Sequence, residues 1–239
     1  MVAGHFATGL ALFGWQRDRS IVSFVLLLVG SMLADILWTV LTPLGLEGGY
    51  SLGSQEFHVP RLTYSHSVVT TVGWTVLWGG VCYIITRARG GVDPVRMGIF
   101  GALTVLTHWV FGDAPFAHSF FLAPGASNLP MLHLYRYPIV AFVIELAAVG
   151  VLWALFMRSV SKPGVPLGMA PRAMLLSLLA LTVMIFLPSF EHRPAVHLDA
   201  QPTAILGYLF IILVELSLLS GMYRILARRL SSGAAAAPA

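Results

Sequence analysis

Residues 20–44 read "SIVSFVLLLVGSMLADILWTVLTPL", a run of 25 residues with a single charge, Asp35. As a helix this run is about 37 Å long, enough to cross the roughly 30 Å hydrocarbon core of a bilayer. Five further runs have the same character: 64–86, 97–112, 138–157, 173–189 and 204–224. Residues 2–14 are apolar but too short for an ordinary span, which leaves a half-helix, a re-entrant segment or a first span completed by neighbouring protein. The composition agrees: 57% of the 239 residues are hydrophobic and 10% charged, where a soluble domain carries about a quarter. Mean hydropathy is +0.84. The expected fold is therefore an all-α, polytopic membrane helix bundle of about six spans plus a short N-terminal helix. Residues 1–230 form one transmembrane domain, and the low-complexity tail "SSGAAAAPA" (231–239) is expected to be disordered.

Arginine and lysine set the orientation. One set of connections holds Arg17 and Arg19, then Arg87, Arg89 and Arg96, then Arg158, Lys162 and Arg172, then Arg224, Arg228 and Arg229. The opposite set holds only Arg61, Arg136 and Arg193. This alternation puts the first set and the C-terminus in the cytoplasm. "MVAGHFATGLALFG" (1–14) lacks a basic leader and a small-residue cleavage site, so it does not read as a signal peptide. The dispersed basic residues are topology signals, and a nucleic-acid partner is not expected. The lone Cys82 permits no internal disulfide.

On this map no histidine falls on the cytoplasmic side. His58 and His66, His118 and His133, and His192 and His197 lie at outer connections, with His108 about one turn below the outer end of its helix. Asp35 stands about nine residues, roughly 14 Å, from the outer end of its span. A lone aspartate at that depth costs about 2.5–3.5 kcal/mol on insertion scales, so it should face protein, water or a cation. A protonated, helix-packing aspartate is the plainer reading. Glu145 and Glu215 are further intramembrane acids.

"LTYSHSVVTTVGW" (62–74) puts His66 in the first turn of a span between Ser65 and Ser67, where it could simply cap the helix. "LTHWVFGDAPFAH" (106–118) carries His108, Asp113 and His118. Gly112 followed by Pro115 predicts a helix end near Gly112. On a continuous helix His108 and Asp113 lie about 140° apart, so only unwinding at Gly112 or a π-bulge brings them to one pocket. In that pocket His108 points toward Asp35 and His66.

Histidine and carboxylate suit Zn²⁺, Mn²⁺ or Fe²⁺, and the absence of a usable cysteine excludes thiolate-rich sites. His5, Asp35, His66, His108, Asp113 and His118 could supply such a metal site from four segments, with Ser65 or Ser67 orienting an imidazole. Asp35, His66, His108 and Asp113 are the candidates for catalysis. The chain has no HExxH, GxSxG or glycine-rich phosphate loop, which removes zincin, serine-hydrolase and nucleotide readings.

The order "GHFATGLAL" (4–12), "MLADILW" (32–38), "YSHSVV" (64–69) and "LTHWVFGDAPFAHS" (106–119) resembles the LexA-regulated, membrane-associated family of bacterial metal-dependent hydrolases. The similarity is greatest over residues 1–125, and "VIELA" (143–147) also looks like its relatives. The resemblance implies an inner-membrane protein whose metal-binding elements are His5, Asp35, His66, His108 and Asp113. Where better-known members carry Asp-x-Asp-His, this chain has Leu37 and Trp38 in the later two positions, as in a tryptophan-bearing subgroup. Four residues rather than three separate His108 from Asp113.

Two functions of different class follow. One is a metal-dependent hydrolase at the extracytoplasmic face, acting on a lipid or lipid-linked ester or phosphoester. The other is a non-catalytic membrane subunit in which histidines, with Trp38, Trp74, Trp78 and Trp109, bind haem, pigment or a partner complex. A transporter is weaker, because no internal repeat is visible.

Overall fold

The computed structural model describes residues 1–47, 51–52, 63–116, 119–124, 128–130, 132, 134–161, 167–190, 196–197 and 202–235. Helices dominate: α1 (Val2–Gly14), α2 (Ile21–Ser31), α3 (Leu33–Leu41), α4 (Val68–Ala88) and α5 (Pro94–Thr107) come first. A π-helical stretch, His108–Asp113, extends α5 into a last turn, α6 (Ala114–Phe116). Then follow α7 (Pro138–Val160), α8 (Ala170–Phe190) and α9 (Pro202–Ala235). Five helices among the described residues are long and apolar enough to cross a membrane, and the bent α2–α3 pair together makes a sixth. The chain is a multi-pass helical membrane protein.

Every residue of α1 except Thr8 is buried. It packs on α7, α2, α8 and α5, and a helix that is apolar all round belongs inside a bundle. At 13 residues it is about 20 Å long, so it stands among the spans as a short central helix. Arg19 closes its C-terminal end, donating from Nη1 to the Phe13 carbonyl at 3.1 Å and from Nη2 to that of Gly14 at 2.6 Å. Burial lowers the Arg19 guanidinium from its ordinary value, and the neighbouring Tyr223 opposes that shift.

The first long run is not one straight helix. It breaks at Met32, and α2 and α3 meet at 61°. Gly30 and Ser31 precede the break, and glycine–serine pairs are a recurrent cause of kinks. The break puts Asp35 in the first turn of α3, where the positive end of the helix dipole favours a carboxylate.

Helices α4 and α5 form a close hairpin. Ser67 caps α4 by accepting from the Thr70 amide, and Asp93 caps α5 by accepting from the Arg96 amide, with Pro94 in the first turn. A Cβ on Gly79 would stand 2.9 Å from the Gly98 carbonyl oxygen, so the two backbones touch there because neither residue has a side chain.

Short strand pairs tie the connections together: Ser51–Leu52 with Val196–His197, and Ser119–Phe121 with Asn128–Pro130. The Leu122 carbonyl accepts the Val69 amide at 3.0 Å, taking one of the amide groups left open at the start of α4.

Two expectations are corrected here. The helix through 97–112 does not end at Gly112, since the π stretch carries it to Phe116. Helix α9 reaches Ala235, five residues into the expected disordered tail, because serine and alanine continue a helix readily and only Gly233 interrupts them. Residues 236–239 lie outside the described residues.

Candidate metal centre

Four side chains named from sequence come together where α1, α4 and α7 begin and α5 ends. His5 comes from the first turns of α1, Asp35 from α3, His66 from the residues just before α4, and His108 from the first position of the π stretch. All four are buried, His66 completely. One ligand atom each from His5, Asp35 and His108 lie within 4.8 Å of one another. Around a tetrahedral ion with bonds near 2.0 Å, ligand atoms stand about 3.3 Å apart, so the set is near the spacing an ion needs.

Asp35 is the hub. Its Oδ1 faces His66 Nε2 at 3.6 Å and His108 Nε2 at 3.9 Å. Its Oδ2 accepts from the Tyr208 hydroxyl of α9 at 3.2 Å. The rings of His5 and His108 stack at a centroid distance of 3.7 Å and an angle of 13°. His66 lies tilted against His108, with centroids 5.5 Å apart.

Hydrogen bonding on the far side of two imidazoles places a proton on Nδ1 of each. His108 Nδ1 lies 2.7 Å from the Ser31 carbonyl oxygen. A carbonyl only accepts, so Nδ1 carries the proton and donates. Ser31 ends α2, and its carbonyl belongs to the last turn, where helix partners run out. In the neutral ring, His108 Nε2 therefore presents its lone pair toward Asp35. His66 has the same polarity: its Nδ1 stands 2.6 Å from Ser65 Oγ, while that hydroxyl donates to Glu47 at 2.7 Å. A serine has one proton to give, so Ser65 accepts from His66 Nδ1–H.

Nε2 of His66 and of His108 thus converge on one carboxylate oxygen; with both rings neutral their lone pairs meet there, an arrangement a cation stabilises. The donors are all nitrogen and oxygen, as a borderline divalent ion prefers. The Nδ1–H contacts to a backbone carbonyl and a hydroxyl are the orienting contacts usual for ligating histidines. The residues present fit a divalent metal. The stacked His5 and His108 rings hold their lone pairs in nearly parallel planes, so both reach one ion only if one ring turns.

The π stretch has a local reason. A Cβ on Gly112 would fall on the His5 ring at Cε1, so the helix wall passes His5 only because residue 112 has no side chain. Gly112 therefore makes room for the imidazole and does not end the helix.

The remaining candidates separate. The Asp113 side chain and all of His118 lie outside the described residues, as do His58, His133 and His192. Ser65 contacts an imidazole, whereas Ser67 caps α4. Glu145 caps α1 from α7: its Oε1 accepts the Gly4 amide at 3.2 Å. Glu215 is buried on α9 beside Ser177. Trp38 is fully buried and meets Tyr208 edge to face, so it offers no surface to a partner or a macrocycle. Trp78 is committed to the Leu26 carbonyl and Trp74 to that of Tyr64.

Sequence reasoning missed three contributors: Glu47, Tyr208 and the Ser31 carbonyl. Glu47 reads as an ordinary loop acid beside two glycines. Tyr208 carried a usable signal, a phenol inside an apolar span whose hydroxyl needs a partner. Comparisons with family models, curated proteins and solved structures return no match.

Proposed function

We propose that this chain is a membrane-embedded, metal-dependent hydrolase whose divalent ion is held by Asp35 together with His5, His66 and His108. The observation that carries the reading is the convergence of His66 and His108 on Asp35 Oδ1, each with its Nδ1 pinned. An ion of this kind supplies Lewis acidity to a carbonyl or phosphoryl oxygen and to water. The chain's own groups do the rest. Tyr208 orients the Asp35 carboxylate, Ser31 and Ser65 orient the rings, and the Asp35 carboxylate would take the proton from water. Charge at this depth favours a substrate that reaches it from the bilayer, a lipid or lipid-linked ester or phosphoester. The resemblance of the sequence motifs to LexA-regulated membrane hydrolases implies the same class.

Purified protein reloaded with Zn²⁺, Mn²⁺ or Fe²⁺ is expected to hydrolyse at least one member of a panel of lipid esters and phosphoesters. Chelation should stop the reaction and the ion restore it. A Soret or pigment band in the purified protein, with no hydrolysis, would favour the non-catalytic subunit instead.

The arginine distribution supports a site on the extracytoplasmic side of a bacterial inner membrane, with a cytoplasmic C-terminus. In a Cys82→Ala background, single cysteines at positions 54 and 126 are expected to label from the periplasm, and one at 91 is not. The reverse pattern inverts this topology.

A further inference from the structure

Glu47 lies just beyond α3, with its side chain buried. Its Oε1 accepts the backbone amides of Tyr64 at 2.7 Å and Ser65 at 2.6 Å, and its Oε2 accepts the Ser65 hydroxyl at 2.7 Å. Three donors on one carboxylate offset the cost of burying it. The Ser65 hydroxyl proton is consumed in this way, so the oxygen can only accept from His66 Nδ1, 2.6 Å away. A continuous chain, Glu47 to Ser65 to His66 to Asp35, runs from a loop acid to the candidate metal centre.

We propose that Glu47 is a positioning residue for that centre: through Ser65 it holds His66 in the Nδ1–H tautomer and turns the Nε2 lone pair toward Asp35. The proposal rests on the metal reading above for its consequence, though the tautomer assignment stands on the hydrogen bonds alone. Glu47 touches neither ion nor substrate. Its influence lies in which nitrogen of His66 carries the proton, and only a ring with Nε2 deprotonated can bind an ion through that atom.

The informative substitution is Glu47→Gln. Its amide oxygen can still accept the Tyr64 and Ser65 amides, but an NH₂ group now faces Ser65. That group donates to Ser65 Oγ, which then gives its own proton to His66 Nδ1, and the ring proton moves to Nε2. A residue that merely braced the 63–67 turn would not reverse the tautomer when replaced by its isostere.

The experiment uses the full chain in lipid nanodiscs with ¹⁵N-labelled histidine, His66 being assigned by the signals lost in His66→Ala. Metal-free wild type is expected to show Nδ1–H for His66, and Glu47→Gln to show Nε2–H. Affinity for Co²⁺ should fall about 10–100-fold in Glu47→Gln, the usual loss for an orienting partner of a ligand. Adding Glu47→Gln to His66→Ala should lower affinity no further. Ser65→Ala, which cuts the chain without touching Glu47, should lose Co²⁺ affinity to a similar extent and serves if Glu47→Gln does not fold. An unchanged tautomer in Glu47→Gln, or an equal loss of affinity in the His66→Ala background, overturns the proposal. Tautomer reversal in Glu47→Gln, alongside a wild type that binds no Co²⁺, supports the positioning role and overturns the metal reading.

Discussion

Asp35→Ala and His108→Ala are each expected to abolish retention of the proposed divalent ion while leaving the chain inserted in the membrane. Asp35 supplies the only carboxylate among the four gathered groups, and its Oδ1 is the point on which His66 and His108 converge. Without it the imidazoles face one another with no negative charge to neutralise a cation. His108 is held on its far side by the Ser31 carbonyl, so its Nε2 is a preset donor that no neighbour replaces by moving. Retained metal should fall from about one ion per chain to below about a tenth, as expected when a site of three or four ligands loses one. Asp35→Ala also removes the hydrogen bond from the Tyr208 hydroxyl, a modest cost of about 1 kcal/mol that should leave the chain folded and inserted. His192→Ala is expected to change neither metal nor insertion. Elemental analysis of the purified variants measures the first quantity and membrane fractionation the second. Full metal retention by Asp35→Ala would remove that residue from the site.

Gly112→Ala is expected to damage the same site without deleting a ligand. One methyl group would occupy the position of His5 Cε1, backed by the helix wall and by the stacked His108 ring. Overpacking of this kind costs about 1–3 kcal/mol, and here it is relieved only by driving His5 from the stack. Thermal unfolding in detergent should therefore shift downward and metal affinity should drop together. Combining Gly112→Ala with His5→Ala should restore the stability, since the clash is gone, but not the affinity. Wild-type behaviour of Gly112→Ala in both measurements would show that the ring has space to spare.

The spans were legible because lipid imposes a simple requirement: about 20 apolar residues in succession, with cations gathered at one side. The position of α1 was not, because 13 apolar residues satisfy a half-helix or a re-entrant segment as well as a central helix. What decides it is burial on every face. The break at Met32 had a signal in Gly30 and Ser31, outweighed in reading by the length of the run. The candidate site was legible in residue type: His5, Asp35, His66 and His108 stand out as polar groups in apolar surroundings. Their partners were not. Glu47 becomes meaningful only once the chain folds it back onto Ser65, 18 residues away, and no periodicity encodes that contact. Gly112 misled for a physical reason, since a glycine that ends a helix and one that admits a neighbouring ring look alike in sequence.

The most direct test of a cation at Asp35 is the metal content of the wild-type protein, expressed in metal-replete medium and purified without chelators, joined to X-ray absorption of any metal found. This account predicts about one divalent ion per chain, with nitrogen and oxygen neighbours only, at about 2.0–2.2 Å. Less than about a tenth of an equivalent, or a shell containing sulfur, would contradict it.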